Sequence, residues 1–485
     1  MISDDMMSVL EFLTHLFFTF TLGWYLITNL QWYNYKLERV VLKHHKVWWH
    51  IIYFIIPYFA YQLTDDFFSI FFYFAYLPAI ILWQRRLDKP LVLTWRVRRY
   101  FFLLVTLTLF QDFLCYQSNS CVGYGVFLPL ALTIFGSFII EKYLYLIYKK
   151  QATTKLNKMV DNGMKIVAVT GSFGKTSTKN FIAQILSKKY IVHATPRSVN
   201  TEGGIMKDIN EELQENTQIY IVEAGARERG DIYNIAQLIH PHYAVVGVVG
   251  QAHIEYFKTL ENIVRTKLEL MQSNRLVKAF IHKSVTNEPH EKVIFFGDEI
   301  LNIEANLDGI KFNLNIDNQN IEFKSNILGD FQATNILAAI LVAKEFGLSF
   351  EQIQDSVAHL NPIPHRLERI NAGGKIILDD GFNGNLDGML QAISLVKLHK
   401  GRKIIVTPGL VESSADLNLK LINAIDNNFD LAIITGNLNA NMFEKHLKKP
   451  KVIILPNKKE LENILSEYTK FGDIILFAND APNFI

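Results

Sequence analysis

An abrupt change of composition near residue 150 constrains this chain more than any other feature. Before it, Phe, Leu, Ile, Tyr and Trp dominate, broken by short charged clusters; after it, short apolar runs alternate with mixed helical stretches. A segment that crosses a bilayer needs about 20 mostly apolar residues in a helix, because no water is there to satisfy the backbone polar groups. Five stretches approach that requirement, 9–30, 47–63, 67–83, 100–115 and 123–148, and the middle three are short, which gives four or five spans. The first is not a cleaved signal peptide, since its leading "MISDDMM" is acidic and no small-residue cleavage site follows. Lys36, Arg39, Lys43 and Lys46 lie in the first connection, Arg85, Arg86, Lys89, Arg96, Arg98 and Arg99 in the third, and Lys149, Lys150 and Lys155 after the fifth stretch; the second and fourth connections carry no Lys or Arg. Because basic loops stay on the cytoplasmic side, this alternation predicts a multi-pass protein of the inner membrane, with its N-terminus outside and everything after residue 150 in the cytoplasm. Buried helices of a soluble core would have no reason to alternate in this way. Cys115 and Cys121 then fall near the outer face, where a disulfide is permitted. Without a His at ligand spacing they do not read as a zinc site.

The 485 residues have room for roughly three domains. A net charge of +2 gives no reason to expect nucleic acid as a partner. From Lys165 onward the runs "KIVAVTG", "IYIVEAG", "YAVVGVVG", "KIILDDG", "KIIVTPG" and "DLAIITG" end in Gly and are separated by amphipathic stretches. That pattern predicts α/β structure with mostly parallel sheets covered on both faces. "KFNLNIDNQNIEFKSNILGDF" alternates with period two instead and predicts an antiparallel hairpin at the edge of the central domain.

In "AVTGSFGKTSTKNF" a strand runs into a Gly-rich turn and then a helix. Gly171 and Gly174 let the backbone curl so that N–H groups face phosphates at the helix start. Lys175 would reach the outer phosphates of ATP, with Gly171, Ser172, Phe173, Gly174, Thr176 and Ser177 forming the loop, and Thr176 giving its hydroxyl to Mg2+. Val169 stands where a general phosphate loop has its first Gly, so the motif is the shorter T-G-x-x-G-K-T-S-T.

That shorter loop and four downstream motifs resemble the Mur ligase family, the ATP-dependent amide-forming enzymes of peptidoglycan synthesis. The motifs, in family order, are "IVEAGARERGDI", "GQAHIEYFKTLENIVRTKLEL", "LGDFQATNILAAI" and "HRLERI…ILDDGFNGNLDGM", and the resemblance covers residues 150–485. The GAR-x-x-GDI and DDGFNGN stretches are most like the member that joins D-alanyl-D-alanine to the muramoyl tripeptide. The resemblance implies a P-loop central domain over 151–370 and a Rossmann-like α/β C-terminal domain over 371–485. It implies Glu223 beside Thr176 on magnesium, His253 on a second metal ion, and Lys267 carbamoylated as an anionic metal ligand. It also implies Asn335 at the adenine, Arg366 at the phosphates and Asp380 at the ribose, reached across a cleft that closes. Asn200, Thr201, Arg227, Asn383 and Asn385 would face the acceptor. Catalysis would rest on Lys175, Lys267 and His253, with no covalent enzyme nucleophile: positioning and charge neutralisation carry such a reaction. UDP-muramoyl tripeptide and D-alanyl-D-alanine are the implied substrates.

The chain departs from the family pattern at several places. Gly247–Gly250 replaces the usual Thr-Asn-x-Gly, Phe331-Gln332 replaces His-Asn, Phe382 replaces a Tyr, Leu386 replaces a Pro, and "VTPGLVESS" replaces Gly-Asp-Met-x-Glu-Leu-Gly. The largest departure is at the front, where the apolar stretches occupy the place of the soluble uridine-binding domain. Either basic loops such as 85–99 hold the uridine end, or the acceptor differs and is lipid-linked. Membrane lipids are expected partners, and other cell-wall enzymes at the membrane are a further candidate class. A membrane ATPase would need a general Walker loop and a transport signature, and a non-catalytic scaffold would have no use for Lys175, Thr176, Glu223, His253 and Lys267.

Overall fold

The structure, a computed structural model, describes residues 4–479 except 34, 43–45, 65–66, 88–89, 119–124, 251–256, 287, 318, 383 and 412. Two compact units divide the chain, Met1–Tyr148 and Lys149–Ile485.

The first unit is helical among its described residues. Its main helices are Asp4–Trp32, Trp95–Ser118 and Phe127–Asp161, the last continuing into the second unit. Two further helical stretches each contain a π-turn just before a proline: Ile51–Ile55 precedes Pro57, and Phe72–Tyr76 precedes Pro78. Proline lacks the N–H that closes an α-turn and its ring crowds the preceding carbonyl, so a local widening of the helix accommodates it. By length and composition, three of the five expected stretches suffice for a membrane span: Val9–Trp32, Phe68–Arg85 and Phe127–Asp161. The helix ending at Leu63 is too short, and Trp95–Ser118 carries Arg96, Arg98 and Arg99 in its opening turns and Asp112 near its end. Phe18, Phe68, Phe72, Tyr76 and Leu104 share one core. Inside the bundle the His15 ring lies 3.1 Å from Asp112 and 3.1 Å from the Tyr61 hydroxyl. Cys115 is disulfide-bonded, and Cys121 lies outside the described residues.

The second unit contains three sheets. The first joins β1 (Lys165–Thr170), β2 (Val192–Ala194), β3 (Ile219–Glu223), β4 (Tyr243–Val246), β5 (Lys278–His282) and β6 (Val293–Phe296) in the order β2-β3-β1-β4-β5-β6, all parallel. The antiparallel sheet is β7 (Ile300–Asn306), β8 (Gly309–Ile316) and β9 (Gln319–Ser325). The third joins β10 (Glu368–Ala372), β11 (Lys375–Asp380), β12 (Lys403–Thr407), β13 (Leu431–Thr435), β14 (Lys451–Leu455) and β15 (Ile474–Ala478) in the order β10-β11-β15-β12-β13-β14, parallel except for β10 against β11. Every apolar run named from the sequence becomes a parallel strand, and the period-two segment becomes the β8–β9 hairpin. In the first sheet the connection after β1 leads toward β2 and the one after β4 leads toward β5. The crevice where such connections diverge lies at the strands' carboxyl ends, and open parallel sheets bind ligands there.

The helix Gln332–Glu345, "QATNILAAILVAKE", is buried nearly all round. A helix apolar on every side belongs in a core, and this one shares a core with Phe181, Ile182 and Ile185 of Lys175–Leu186, the helix after the phosphate loop. The end of Phe127–Asp161 is also anchored in this unit. Ala152, Leu156 and Met159 are buried. Lys149 pairs with Glu202 at 2.8 Å, and Lys155 donates to the Ile209 carbonyl at 2.7 Å. Leu156→Ala should therefore cost about 2–5 kcal/mol, read as a lower denaturant midpoint of the full chain in detergent; an unchanged midpoint would contradict this packing.

Candidate active site

Val169 of β1 stands opposite Glu223 of β3, so the strand leading into the phosphate loop runs beside the carboxylate that ends its neighbour. Gly174 begins the helix in the left-handed region, φ 70°, and a Cβ there would run into the Asn335 amide. Only glycine meets both demands. The N–H groups of Ser172 and Phe173 go to the Val248 carbonyl, at 2.9 and 3.4 Å, and the Ser172 hydroxyl goes to Gly250. Two of the loop's amides are thus tied to the segment after β4. The first turn of Lys175–Leu186, whose N–H groups have no acceptor within the helix, offers donors to an anion.

Lys175 folds over the loop and donates to the Gly171 and Ser172 carbonyls at 3.0 and 3.1 Å. Desolvation lowers its pKa first; Glu223 opposes that shift, and Arg366 adds to it. Glu223 is 1% exposed and accepts a hydrogen bond from the Asn200 side-chain amide at 3.0 Å. Its Oε2 is buried with no hydrogen-bond partner. A buried orphan carboxylate oxygen costs free energy unless a cation or donor meets it, so this donor set suits a divalent cation, with the buried Thr176 hydroxyl in the first turn of the neighbouring helix.

Lys267, on the helix Leu260–Leu268, is 4% exposed. Burial lowers its pKa to about 7, with Lys175 pushing the same way and Asp231 and Glu269 opposing. Arg366 is lowered first by desolvation, against the pull of Asp380 and Glu223, and its guanidinium donates to the Phe382 carbonyl at 2.7 Å. The mutual influence of Lys175, Glu223, Lys267, Arg366 and Asp380 draws groups from both parallel sheets into one region.

Other expected residues make local contacts. Asn335 packs on the phosphate loop, accepting from the Thr178 hydroxyl at 3.1 Å and donating to Gln332 at 2.8 Å, so its amide braces the loop. Beside it a cavity of about 370 Å³ is lined by Phe181, Gln332, Ile363, Arg366 and Leu367, among others. Thr201 caps the helix Glu202–Glu211 and Asn385 caps Leu386–Val396, each through its side-chain oxygen. Arg227 is exposed, and its N–H donates to Asp231. His253 and Asn383 lie outside the described residues. Among those described, no group of three or more His, Cys, Asp or Glu could hold a metal ion.

Two further participants were legible only in part. Glu269 of "KLEL" accepts from the N–H groups of Gly230 and Tyr233 and so caps the helix Asp231–Ile239. Gly225 leaves room for the Asn200 amide, which a Cβ would displace.

Residues 169–343 match the Mur ligase middle domain. The UDP-N-acetylmuramoyl-tripeptide–D-alanyl-D-alanine ligase of Bacillus subtilis is 28% identical over 65% of this chain and 73% of its own length. That of Mycobacterium tuberculosis H37Rv is 30% identical over 51% of this chain and 52% of its own. The chain thus spans between half and three quarters of these relatives. Among solved structures, the MurF ligase of Thermotoga maritima in complex with ADP is similar at a TM-score of 0.58 and 25% identity, covering 69% of this chain and 80% of its own. MurF from Acinetobacter baumannii shares the fold, with a TM-score of 0.60 over 69% of this chain and 77% of its own.

Gly174→Ala should weaken nucleotide binding by about 5- to 30-fold, since the left-handed backbone costs roughly 1–2 kcal/mol; titration of a fluorescent ATP analogue checks this, and wild-type affinity would contradict the loop geometry. Lys267 is mostly neutral above pH about 7 and mostly charged below it, and only the neutral amine adds CO2 to give a carbamate and a proton. A carbamate signal from 13C-bicarbonate should therefore grow as pH rises through 7 and vanish in Lys267→Ala.

Proposed function

With a Mur ligase middle domain at residues 169–343, we propose that this chain is an ATP-dependent amide ligase of peptidoglycan precursor synthesis, adding D-alanyl-D-alanine to UDP-N-acetylmuramoyl tripeptide. The observation that carries this reading is the convergence of Lys175, Glu223, Lys267 and Arg366 at the crevice after β1.

The reaction brings an anionic acid against an anionic triphosphate, so the chain's task is neutralisation and alignment. The terminal carboxylate of the tripeptide attacks the γ-phosphorus of ATP, giving an acyl phosphate and ADP. The amine of D-alanyl-D-alanine then attacks the acyl carbon, and the tetrahedral adduct loses phosphate and a proton to leave the amide. Lys175 and Arg366 face the transferred phosphoryl group, and the amides of the helix's first turn hold the β- and γ-phosphates. Thr176, Glu223, His253 and a carbamoylated Lys267 would hold two magnesium ions. Magnesium, when bound, offsets charge on the triphosphate. Burial of the site strengthens each of these interactions relative to water. Gln332, Ile363 and Arg366 line a cavity with room for part of the nucleoside, and Asp380, at the end of β11, serves the ribose. Asn200, Thr201, Arg227, Asn383 and Asn385 would face the acceptor.

Residues 151–370 and 371–485 act as ATP-binding and closing domains. The first 150 residues anchor them at the inner membrane, with the catalytic domains in the cytoplasm. Because helices long and apolar enough to span a bilayer stand where a soluble uridine-binding domain is usual, a lipid-linked acceptor is the second reading. Purified protein should release phosphate from ATP only when UDP-muramoyl tripeptide and D-alanyl-D-alanine are both present, and Lys175→Ala should abolish that release. Release without the substrates would indicate an ATPase, and intact nucleotide binding without release would indicate a scaffold.

A further inference from the structure

Lys179 lies one turn after Lys175 and is fully buried. A lysine ammonium out of water is costly unless its three donors are met. Two of them reach the Thr195 and Arg197 carbonyls, each at 2.6 Å. The third side of the ammonium faces Glu223 Oε2 at 3.7 Å, within ion-pair range and beyond hydrogen-bond range. The other carboxylate oxygen, Oε1, is taken by the Asn200 amide. The Glu223 N–H donates to the Thr195 hydroxyl at 3.2 Å. Arg197 itself sits at φ 47°, a conformation that a non-glycine residue holds only when its surroundings enforce it; its carbonyl bond to Lys179 is such an enforcement.

One side chain thus meets three parts of the crevice: the phosphate-loop helix, the turn from Thr195 to Asn200, and the end of β3. We propose that Lys179 is a positioning residue that locks this turn to the nucleotide side and orients Glu223, so that Asn200 occupies Oε1 and Oε2 stays electrostatically held but free to meet a divalent cation. The turn carrying Asn200 and Thr201 is the acceptor side of the proposed site, so Lys179 joins nucleotide, cation and acceptor in one rigid unit. This rests on the proposed reading of Glu223 as a magnesium ligand. An apolar side chain of the same length would fill the space but release both carbonyls and the carboxylate together.

The test uses the full chain in detergent, Mn2+ as the cation and ADP as the nucleotide, with Mn2+ binding followed by electron paramagnetic resonance and amide hydrogen exchange followed over residues 195–201. Lys179→Met should weaken Mn2+ binding to the ADP complex by about 10- to 100-fold, as loss of a residue orienting a metal ligand does. Exchange over 195–201 should quicken, while ADP without a divalent cation binds as in the wild type. In a Glu223→Gln background the same substitution should cause no further loss of Mn2+ affinity, because the two residues act through one oxygen. A folded Lys179→Met protein with wild-type Mn2+ affinity and wild-type exchange would overturn the role. If Lys179→Met alone does not fold, the Lys179→Met/Glu223→Gln pair, which leaves no lone buried charge, is compared with Glu223→Gln; equal exchange over 195–201 in the two overturns the proposal and faster exchange in the pair supports it. A wild-type protein that binds no Mn2+ with ADP removes the magnesium reading itself, an outcome distinct from binding that Lys179→Met leaves unchanged.

Discussion

Glu223 is a carboxylate held almost wholly out of water at the carboxyl end of β3, and the geometry around the crevice answers to it. A buried anion is tolerated when cations and donors surround it. Lys179 and Asn200 meet it directly, and Lys175 and Arg366 feel its field from the start of the phosphate-loop helix and from the bend before β10. The parallel register that sets Val169 opposite Glu223 makes this arrangement possible, because it brings the strand before the phosphate loop and the strand before the carboxylate to the same edge. Desolvation then supplies the chemistry: it lowers the pKa of Lys267 toward neutrality and leaves one carboxylate oxygen unsatisfied.

Capping economises on side chains around this crevice. Thr201 and Asn385 end loops by closing helices, and Glu269 closes the helix that begins after the "RERG" turn. A cap contributes about 1 kcal/mol and fixes the direction in which a loop leaves the helix, so these residues set the course of their loops with oxygens that are already used. Asn335 does the same for the phosphate loop: its amide bonds Thr178 and Gln332 while its bulk excludes any side chain at Gly174.

Strands β1, β3, β4, β11, β12 and β13 and the place of the loop were legible because both follow from local rules. Apolar runs ending in Gly can only be buried strands that stop at a turn, and a Gly-rich turn between strand and helix carries its geometry in its own residues. The helices of the first unit were legible as apolar stretches, but their adequacy as spans was not uniform. Trp95–Ser118 is long enough yet opens with three arginines, and the stretch ending at Leu63 is too short. Strands β2, β5, β6, β14 and β15 were harder to read, since Val192–Ala194 is three residues long and the others lack a distinctive flanking motif.

Lys179 shows where reading along the chain stops. It directly follows the phosphate-loop motif, and from sequence alone it is one more polar residue on the face of a helix. Its three partners lie 16, 18 and 44 positions away, on a turn and on another strand, and only the closing of the sheet makes that lysine a buried one. The apolar N-terminal stretches, the parallel α/β plan, the phosphate loop and the identity of the charged residues follow from the order of amino acids alone, because periodicity and turn chemistry act over a few neighbours. The tertiary structure decided which charges lose their water and which oxygen of Glu223 is left open, because desolvation depends on everything that packs around a group and not on the residues beside it in the chain.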